Sequence, residues 1–207
     1  MSRGKGFISF EGIEGSGKST QTKRLAEYFR AKGRDVIETV EPGGTGIGTK
    51  IRALLLEPGN HMDSLTELLL YYASRAQHVK EVIHPALLEN KVVITDRFTD
   101  STVAYQGYAR GVDMTIIDRL NDIVVPDLKP FVTFLLDLDV EEGLRRNRQA
   151  NKEDRFELEA VAFHKRVRSG FHEIASKDPD RVKIVDASKN ADEVSVEIFR
   201  IIEELWH

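Results

Sequence analysis

The chain has 207 residues, 41% of them apolar and 31% charged, with a formal net charge of −4. That length suits one α/β domain, 1–207, with a sizeable core, and the acidic balance speaks against nucleic acid as a partner. There are no cysteines, which excludes disulfides, thiolate zinc sites and a cysteine nucleophile, and the six histidines lack HExxH spacing. The first residues lead into a strand-like run without an apolar leader, and no apolar run nears the roughly 20 residues of a membrane span. A cytoplasmic protein without membrane contact is expected.

Short apolar runs alternate with long amphipathic ones, the pattern of a parallel sheet with crossover helices. Phe7 to Glu11 reads as the first strand, Lys18 to Lys32 as a helix ending at Gly33, and Val36 to Val40 as the second strand, broken by Pro42-Gly43-Gly44. A short helix follows from Ile47 to Leu56. Asp63 or Ser64 can cap a longer one carrying Leu65, Leu68, Leu69 and Tyr72 on one face, which Pro85 should kink or restart. Val92 to Asp96 is apolar enough for a buried parallel strand. Asp113 caps another helix, Phe131 to Asp137 and Val182 to Asp186 complete five strands, and Ala191 to Trp206 forms the closing helix. The cation-rich run from Arg145 to Arg155 breaks this rhythm and reads as a small mobile excursion at about 145–156.

Gly12-Ile13-Glu14-Gly15-Ser16-Gly17-Lys18-Ser19 matches the phosphate-cradling pattern GxxxxGK[ST] in full, between a strand and a helix as the pattern requires. Its glycines let backbone N–H groups turn toward phosphate oxygens, and the helix N-terminus beginning near Thr20 adds its positive end. Lys18 supplies a charge at the outer phosphates, and the Ser19 hydroxyl can join Mg²⁺. The cradle specifies nucleotide binding without specifying a reaction. A GTP-dependent switch would want a DxxG motif, which is absent, and Asn151-Lys152-Glu153-Asp154 mimics a guanine-reading NKxD only inside the charged excursion. Past the third strand stands Asp96-Arg97-Phe98-Thr99-Asp100-Ser101-Thr102-Val103-Ala104-Tyr105-Gln106, at the sheet edge where ligands of open α/β folds bind. An arginine there can hold a second phosphate.

The run from Asp96 to Gln106 resembles the signature of thymidylate kinases. Glu41-Pro42-Gly43-Gly44-Thr45 resembles the EPGGT loop of the bacterial members, and Tyr71 to Arg75 their aromatic-x-x-x-Arg helix. The resemblance covers nearly the whole chain. It implies a P-loop NTP hydrolase type of fold with a mobile lid, and transfer of the γ-phosphoryl of MgATP to dTMP. Another nucleoside monophosphate as acceptor, or a P-loop protein that binds without transfer, are the alternatives. It further implies that Tyr71 stacks on thymine and that Arg75 bonds a thymine carbonyl. Thr102 and Gln106 would lie around the base, with Glu41, Pro42 and Ser101 near the same ligand. Arg52 and Arg97 would hold the dTMP phosphate, Tyr105 would pack under the sugar, and Glu14 would face the 3′-hydroxyl. A homodimer is implied as well. Two positions depart from the family: Val40 where arginine is usual, and Tyr71 where phenylalanine is usual.

Two polyanions must be brought together, so cations carry the catalysis. In this family the charge at the transferring group comes from an arginine of the P-loop or from arginines of the lid. Gly15 occupies the P-loop position, so the lid type is expected, with Arg148 and Arg155 favoured among Arg145, Arg146, Arg148, Lys152 and Arg155. Asp96 is expected near Ser19 as a water-mediated Mg²⁺ partner, with Asp137 a weaker candidate. The adenine is expected against the root of the lid and Asp186 to Lys189.

Overall fold

Each of the five apolar runs is a strand, and all pair in parallel in the order β2-β3-β1-β4-β5. A computed structural model describes residues 6–149 and 155–206. Lys152 and the Asn151–Asp154 run therefore lie outside the described residues, as do the first five positions. β1 (Phe7–Glu11) occupies the centre, paired with β3 (Val92–Asp96) and β4 (Val132–Asp137), and all three are buried almost throughout. β2 (Val36–Val40) and β5 (Val182–Asp186) form the edges and are more exposed. Burial on both faces explains the continuous apolar character of the inner strands. The fourth strand starts at Val132, one residue later than the sequence suggested.

Between the strands run α1 (Lys18–Ala31), α2 (Gly46–Leu56), α3 (Ser64–His78), α4 (His84–Leu88), α5 (Thr99–Thr102), α6 (Met114–Val124), α7 (Val140–Gln149), α8 (Val161–Lys177) and α9 (Ala191–Leu205). The caps follow sequence chemistry: Thr45, Asp63 and Asp113 accept from the first turns of α2, α3 and α6, and Asn190 with Glu193 forms a capping box on α9. α3 passes through a π-helical turn, Val79–Ile83, before α4 restarts around Pro85. A second π-helical stretch, Val103–Ala109, extends α5. It packs against α8, where Tyr105 meets the rings of Phe163 and Phe171.

Two expectations are corrected here. Leu65 and Leu69 are 45% and 49% exposed, so α3 does not turn Leu65, Leu68, Leu69 and Tyr72 inward together. Its buried stripe is Glu67, Leu68, Tyr72, Ser74, Arg75 and His78, four of the six polar or charged, because much of that face is turned to the site and its supporting polar groups. The cation-rich run also begins as helix rather than excursion: α7 continues to Gln149, and Glu142 bonds Arg145 and Arg146 one turn on.

α7 lies hard against the loop after β1. A Cβ on Gly143 would stand 2.5 Å from the Glu14 carbonyl oxygen, and one on Gly15 would stand 2.2 Å from that of Gly143. Alanine in place of a helix-interior glycine ordinarily stabilises by about 0.5–1 kcal/mol. Gly143→Ala is expected to do the reverse and to weaken nucleotide binding, measured by denaturant unfolding and nucleotide titration. A gain in stability with unchanged binding would contradict this packing.

Candidate functional site

β1 ends in the middle of the sheet, and the chain turns through Gly12, Gly15 and Gly17 with φ of 138°, 72° and 91° before α1 begins. Those angles suit glycine, and they fold the loop into a cradle over the α1 N-terminus. Lys18 is buried, and its ammonium donates back to Gly12 O at 3.0 Å and Ile13 O at 2.7 Å. Burial, with Arg97 adding, pulls its pKa down to about 8. Ser19 and Thr20 are exposed at the cradle's mouth, and Ser19 Oγ donates to Asp96 Oδ2 at 2.7 Å. A hydroxyl and a carboxylate side by side, both hard oxygen donors, fit a Mg²⁺ ion that takes its remaining ligands from phosphate and water. No group of three or more possible metal-ligating side chains occurs among the described residues.

Arg97 joins this loop to the segment after β3. It has a φ of 73°, unusual for a residue with a side chain. Nη1 donates to Gly12 O at 3.0 Å and Ser101 Oγ at 2.9 Å, and Nη2 reaches Glu14 Oε1 and the Tyr105 hydroxyl, both at 3.1 Å. Tyr105 donates to the same Glu14 oxygen at 2.5 Å. Burial alone would raise the Glu14 pKa, but His164, Arg97, Lys18 and Tyr105 outweigh it and hold the carboxyl well below its usual range. Behind them Glu11 accepts from Phe98 N at 2.7 Å and Ser101 Oγ at 2.5 Å, and the Arg181 guanidinium clamps Asp100.

A cavity of about 370 Å³ opens from the cradle toward α3. Glu14, Gly15, Gly17, Lys18, Ser19, Thr20, Glu41, Pro42, Arg52, Tyr71, Arg75, Asp96, Arg97, Ser101, Thr102, Tyr105 and Gln106 all line it. Gly12 and Ser16 belong to the cradle without lining the cavity. Arg52 Nη1 donates to Pro42 O at 2.9 Å. The Arg75 guanidinium, 1% exposed, donates from Nε to Glu41 Oε2 at 2.7 Å and from Nη2 to Phe98 O at 3.0 Å, while its Nη1 has no partner. Thr102 Oγ1 is likewise buried and unpartnered. Such atoms are rare in folded chains and mark places where a ligand can complete the bonding. Of the adjacent tyrosines, Tyr72 is core, its hydroxyl bonding Ile117 O at 3.1 Å, and Tyr71 faces the cavity.

The expected lid arginines separate. Arg146 lines the cavity and donates to Ala187 O at 3.1 Å, beside the Asp186–Lys189 loop. Arg145 is paired outward with Glu142, and Arg148 is exposed at the end of α7 and does not line the cavity. Arg155 does not line it either: its guanidinium donates to Leu55 O at 2.9 Å and to Glu67 Oε2 at 2.5 Å, on the far side from the cradle. Asp137 is taken up by Arg168 at 2.8 and 2.9 Å and by His172 at 3.0 Å, an ion-pair role rather than a metal-binding one.

Three residues of the site gave no signal in the sequence. Glu67, buried on α3, accepts from Gln106 Nε2 at 2.8 Å as well as from Arg155 and Arg110. Phe156 lines the cavity, its ring 5.6 Å from that of Tyr105 and 6.5 Å from that of Tyr71. A glutamate four places from the Asp63 cap, in the first turn of α3, reads as helix-start chemistry, and a lone phenylalanine after a charged run carries no signal. His164, which places Nδ1 3.3 Å from Glu14 Oε2, was equally silent.

Comparison with known proteins shows what the chain is similar to. A profile of the family described as thymidylate kinase matches residues 10–198. The thymidylate kinase of Syntrophotalea carbinolica is 50% identical over 195 residues, covering 91% of this chain and 90% of its own. That of Geotalea uraniireducens is 51% identical over 199 residues, covering 93% of both. The crystal structure of thymidylate kinase from Ehrlichia chaffeensis superposes with a TM-score of 0.78 at 40% identity, covering 95% of this chain and 97% of the other.

The site's support has a pH signature. Burial, and after it the Asp100 carboxylate, push the Glu11 pKa from 4.5 up to about 8. The folded chain then keeps a proton that the unfolded chain has lost. This contribution to stability is full below about pH 4.5 and falls as pH rises toward about 8, by at most about 1.4 kcal/mol per pH unit. Glu11→Gln cannot titrate, keeps an acceptor for Phe98 N, and turns an amide N–H toward Ser101 Oγ, where a protonated carboxyl would donate. Urea midpoints of the unsubstituted chain are expected to fall relative to the variant from about pH 5 to 8. Parallel profiles would contradict it.

Proposed function

The chain belongs to the thymidylate kinase family, and from that premise we propose how its cavity carries out the reaction. The enzyme transfers the γ-phosphoryl of ATP to dTMP, giving dTDP and ADP. An oxygen of the dTMP phosphate bonds to the γ-phosphorus as the bond from that phosphorus to the bridging oxygen of ADP breaks. The acceptor phosphate is already ionised, so the protein's task is positioning and charge neutralisation rather than deprotonation. The observation that carries the acceptor assignment is the pair of buried, unpartnered polar atoms, Arg75 Nη1 and Thr102 Oγ1, in residues lining a cavity walled by Tyr71. A donor and a hydroxyl beside an aromatic face suit a flat base with carbonyl and N–H groups on its edge.

On this reading the backbone of the cradle from Gly12 through Gly17, with Lys18, Ser19 and Thr20, binds the ATP phosphates. Arg52 and Arg97 hold the dTMP phosphate, and Glu14 orients the 3′-hydroxyl. Glu41, Pro42 and Ser101 shape the same pocket, with Gln106 beside the base and Tyr105 under the sugar. Mg²⁺ would be held by Ser19 and, through water, Asp96, and when bound it neutralises phosphate charge. Gly15 abuts Gly143, which leaves no room for a side chain there and supports charge supplied by the lid at 145–156. Arg148, exposed and without an ion-pair partner among the described residues, fits the role at the transferring group better than Arg155, which Glu67 engages. Exposed Leu65 and Leu69 on α3, and Ile116 and Ile123 on α6, support a homodimer. No helix among the described residues can cross a membrane, and a cytoplasmic location suits the substrates.

Acceptor-dependent ADP release over a panel of monophosphates tests the acceptor. dTMP is expected to exceed AMP and dCMP by orders of magnitude; equal rates with AMP, or no acceptor-dependent release, would overturn the reading. For the lid, Arg145, Arg146, Arg148 and Arg155 are each changed to Ala. Arg148→Ala is expected to lower kcat about 10³-fold with little change in dTMP affinity, whereas Arg97→Ala damages both. Near-normal turnover in all four would place the charge elsewhere, Lys152 first.

A further inference from the structure

We propose that His78 is a positioning residue for acceptor recognition: it fixes Glu41, which fixes Arg75 against the base. The proposal rests on the reading of Arg75 given above and extends it by one layer of structure that the sequence did not single out. His78 ends α3 three residues after Arg75, so both side chains leave the helix on the same face. The imidazole is fully buried. Its Nδ1 lies 2.9 Å from Glu41 Oε1 and its Nε2 lies 2.6 Å from Thr39 Oγ1.

These contacts assign the tautomer. Glu41 has its other oxygen, Oε2, occupied by Arg75 Nε at 2.7 Å. The ionised carboxylate only accepts, so the proton sits on Nδ1. Nε2 then presents its lone pair to the Thr39 hydroxyl, which donates. Both ring nitrogens and both carboxylate oxygens are used, and nothing in the chain Thr39–His78–Glu41–Arg75 is free to turn. Burial would raise the Glu41 pKa, but Arg75 and His78 outweigh it and keep the carboxyl below its ordinary range.

Arg75 therefore reaches the cavity already oriented, with Nε and Nη2 spent on protein acceptors and Nη1 left over. The same imidazole supports the loop after Glu41. Gly44, with a φ of 74°, passes so close that a Cβ would stand 2.6 Å from His78 Nε2. Ser74, on the same helix, accepts from Gly43 N at 3.2 Å. An arginine left to choose among rotamers would lose that orientation, and its ordering would then be charged to ligand binding.

The predicted consequence is in acceptor affinity and base discrimination, not in the transfer step. An asparagine amide can take the place of Nδ1, a glutamine amide reaches toward Nε2, and leucine fills volume with neither. His78→Leu and His78→Gln are expected to raise KM for dTMP about 10- to 100-fold, the loss of one hydrogen bond to a charged group, with kcat within about threefold. They should also narrow the kcat/KM ratio of dTMP over dCMP, which carries an amino group where thymine has a carbonyl. His78→Asn should restore most of both, and KM for ATP should stay put in all three. Equal behaviour of Asn, Gln and Leu, whether all normal or all lowered in kcat, would overturn the proposal. If His78→Leu does not fold, Thr39→Val removes the Nε2 partner and should shift dTMP KM in the same direction by a smaller factor. An unchanged KM would overturn the proposal there too. Arg75→Met separates the two layers: a normal dTMP KM and ratio in that variant would sink the base reading itself. A strong effect of Arg75→Met beside a silent His78→Leu would sink only the role of His78.

Discussion

A buried charge is tolerated only when it is paired and its remaining hydrogen-bonding capacity is used. The acceptor half of this chain is organised by that requirement. Glu41, Glu67 and Arg75 are essentially inaccessible, as are the polar side chains of His78 and of Glu11, which keeps its proton up to about pH 8; Asp100 and Arg181 are nearly so, and Arg97 is partly covered. Each is held by partners from at least one other element, so β1, β3, α3 and the segment after β3 are locked in register by polar bonds as much as by apolar contact. Against that background of completed pairs, two atoms without partners beside the proposed base, Arg75 Nη1 and Thr102 Oγ1, stand out from Glu14 Oε2, which has His164 Nδ1 at 3.3 Å. Both unpartnered atoms belong to residues lining the cavity, where the proposed reading puts the base of the acceptor.

Donor and acceptor sides meet at Glu14 and Arg97. Both belong to segments leaving the carboxyl ends of adjacent central strands, β1 and β3, so the sheet sets their separation. Arg97 donates to the cradle backbone and to Glu14 at once, which ties the phosphate loop to the acceptor wall. On the other side α7 presses glycine against glycine onto the same loop. A loop held from two directions cannot widen to take a side chain at position 15, which supports the proposal that charge for the transferring group comes from outside it. Glu67 makes a comparable link at the far end of the cavity, between Gln106 and Arg155.

Much of this was legible in the sequence. The five strands, the Asp63 and Asp113 caps and the cradle follow from periodicity, cap chemistry and GxxxxGK[ST], because those features are local. The cavity-lining set followed from motif resemblance at positions 41 to 52, 71 to 75 and 96 to 106. What stayed hidden depends on tertiary partners. Leu65 and Leu69 looked like core because an apolar residue at helical spacing usually is, yet the buried face of α3 is spent on Glu67, Ser74, Arg75 and His78. Arg155 looked like its neighbours Arg145 and Arg148, since a run of cations does not say which one finds a buried carboxylate 88 residues away. The α5 extension and α8, which supplies Phe163 and His164, were not drawn as elements from the sequence at all.

On the proposed reading the acceptor pocket is finished before the ligand arrives, with Arg75 Nη1 and Thr102 Oγ1 kept for the base. A crystal structure of the chain with dTMP and a non-hydrolysable ATP analogue tests it most directly. The account predicts both atoms within about 3 Å of polar atoms of the base, with Tyr71 against its face and the Thr39–His78–Glu41–Arg75 chain unmoved. A base bound elsewhere, or an Arg75 that has left Glu41 to reach it, would contradict the account.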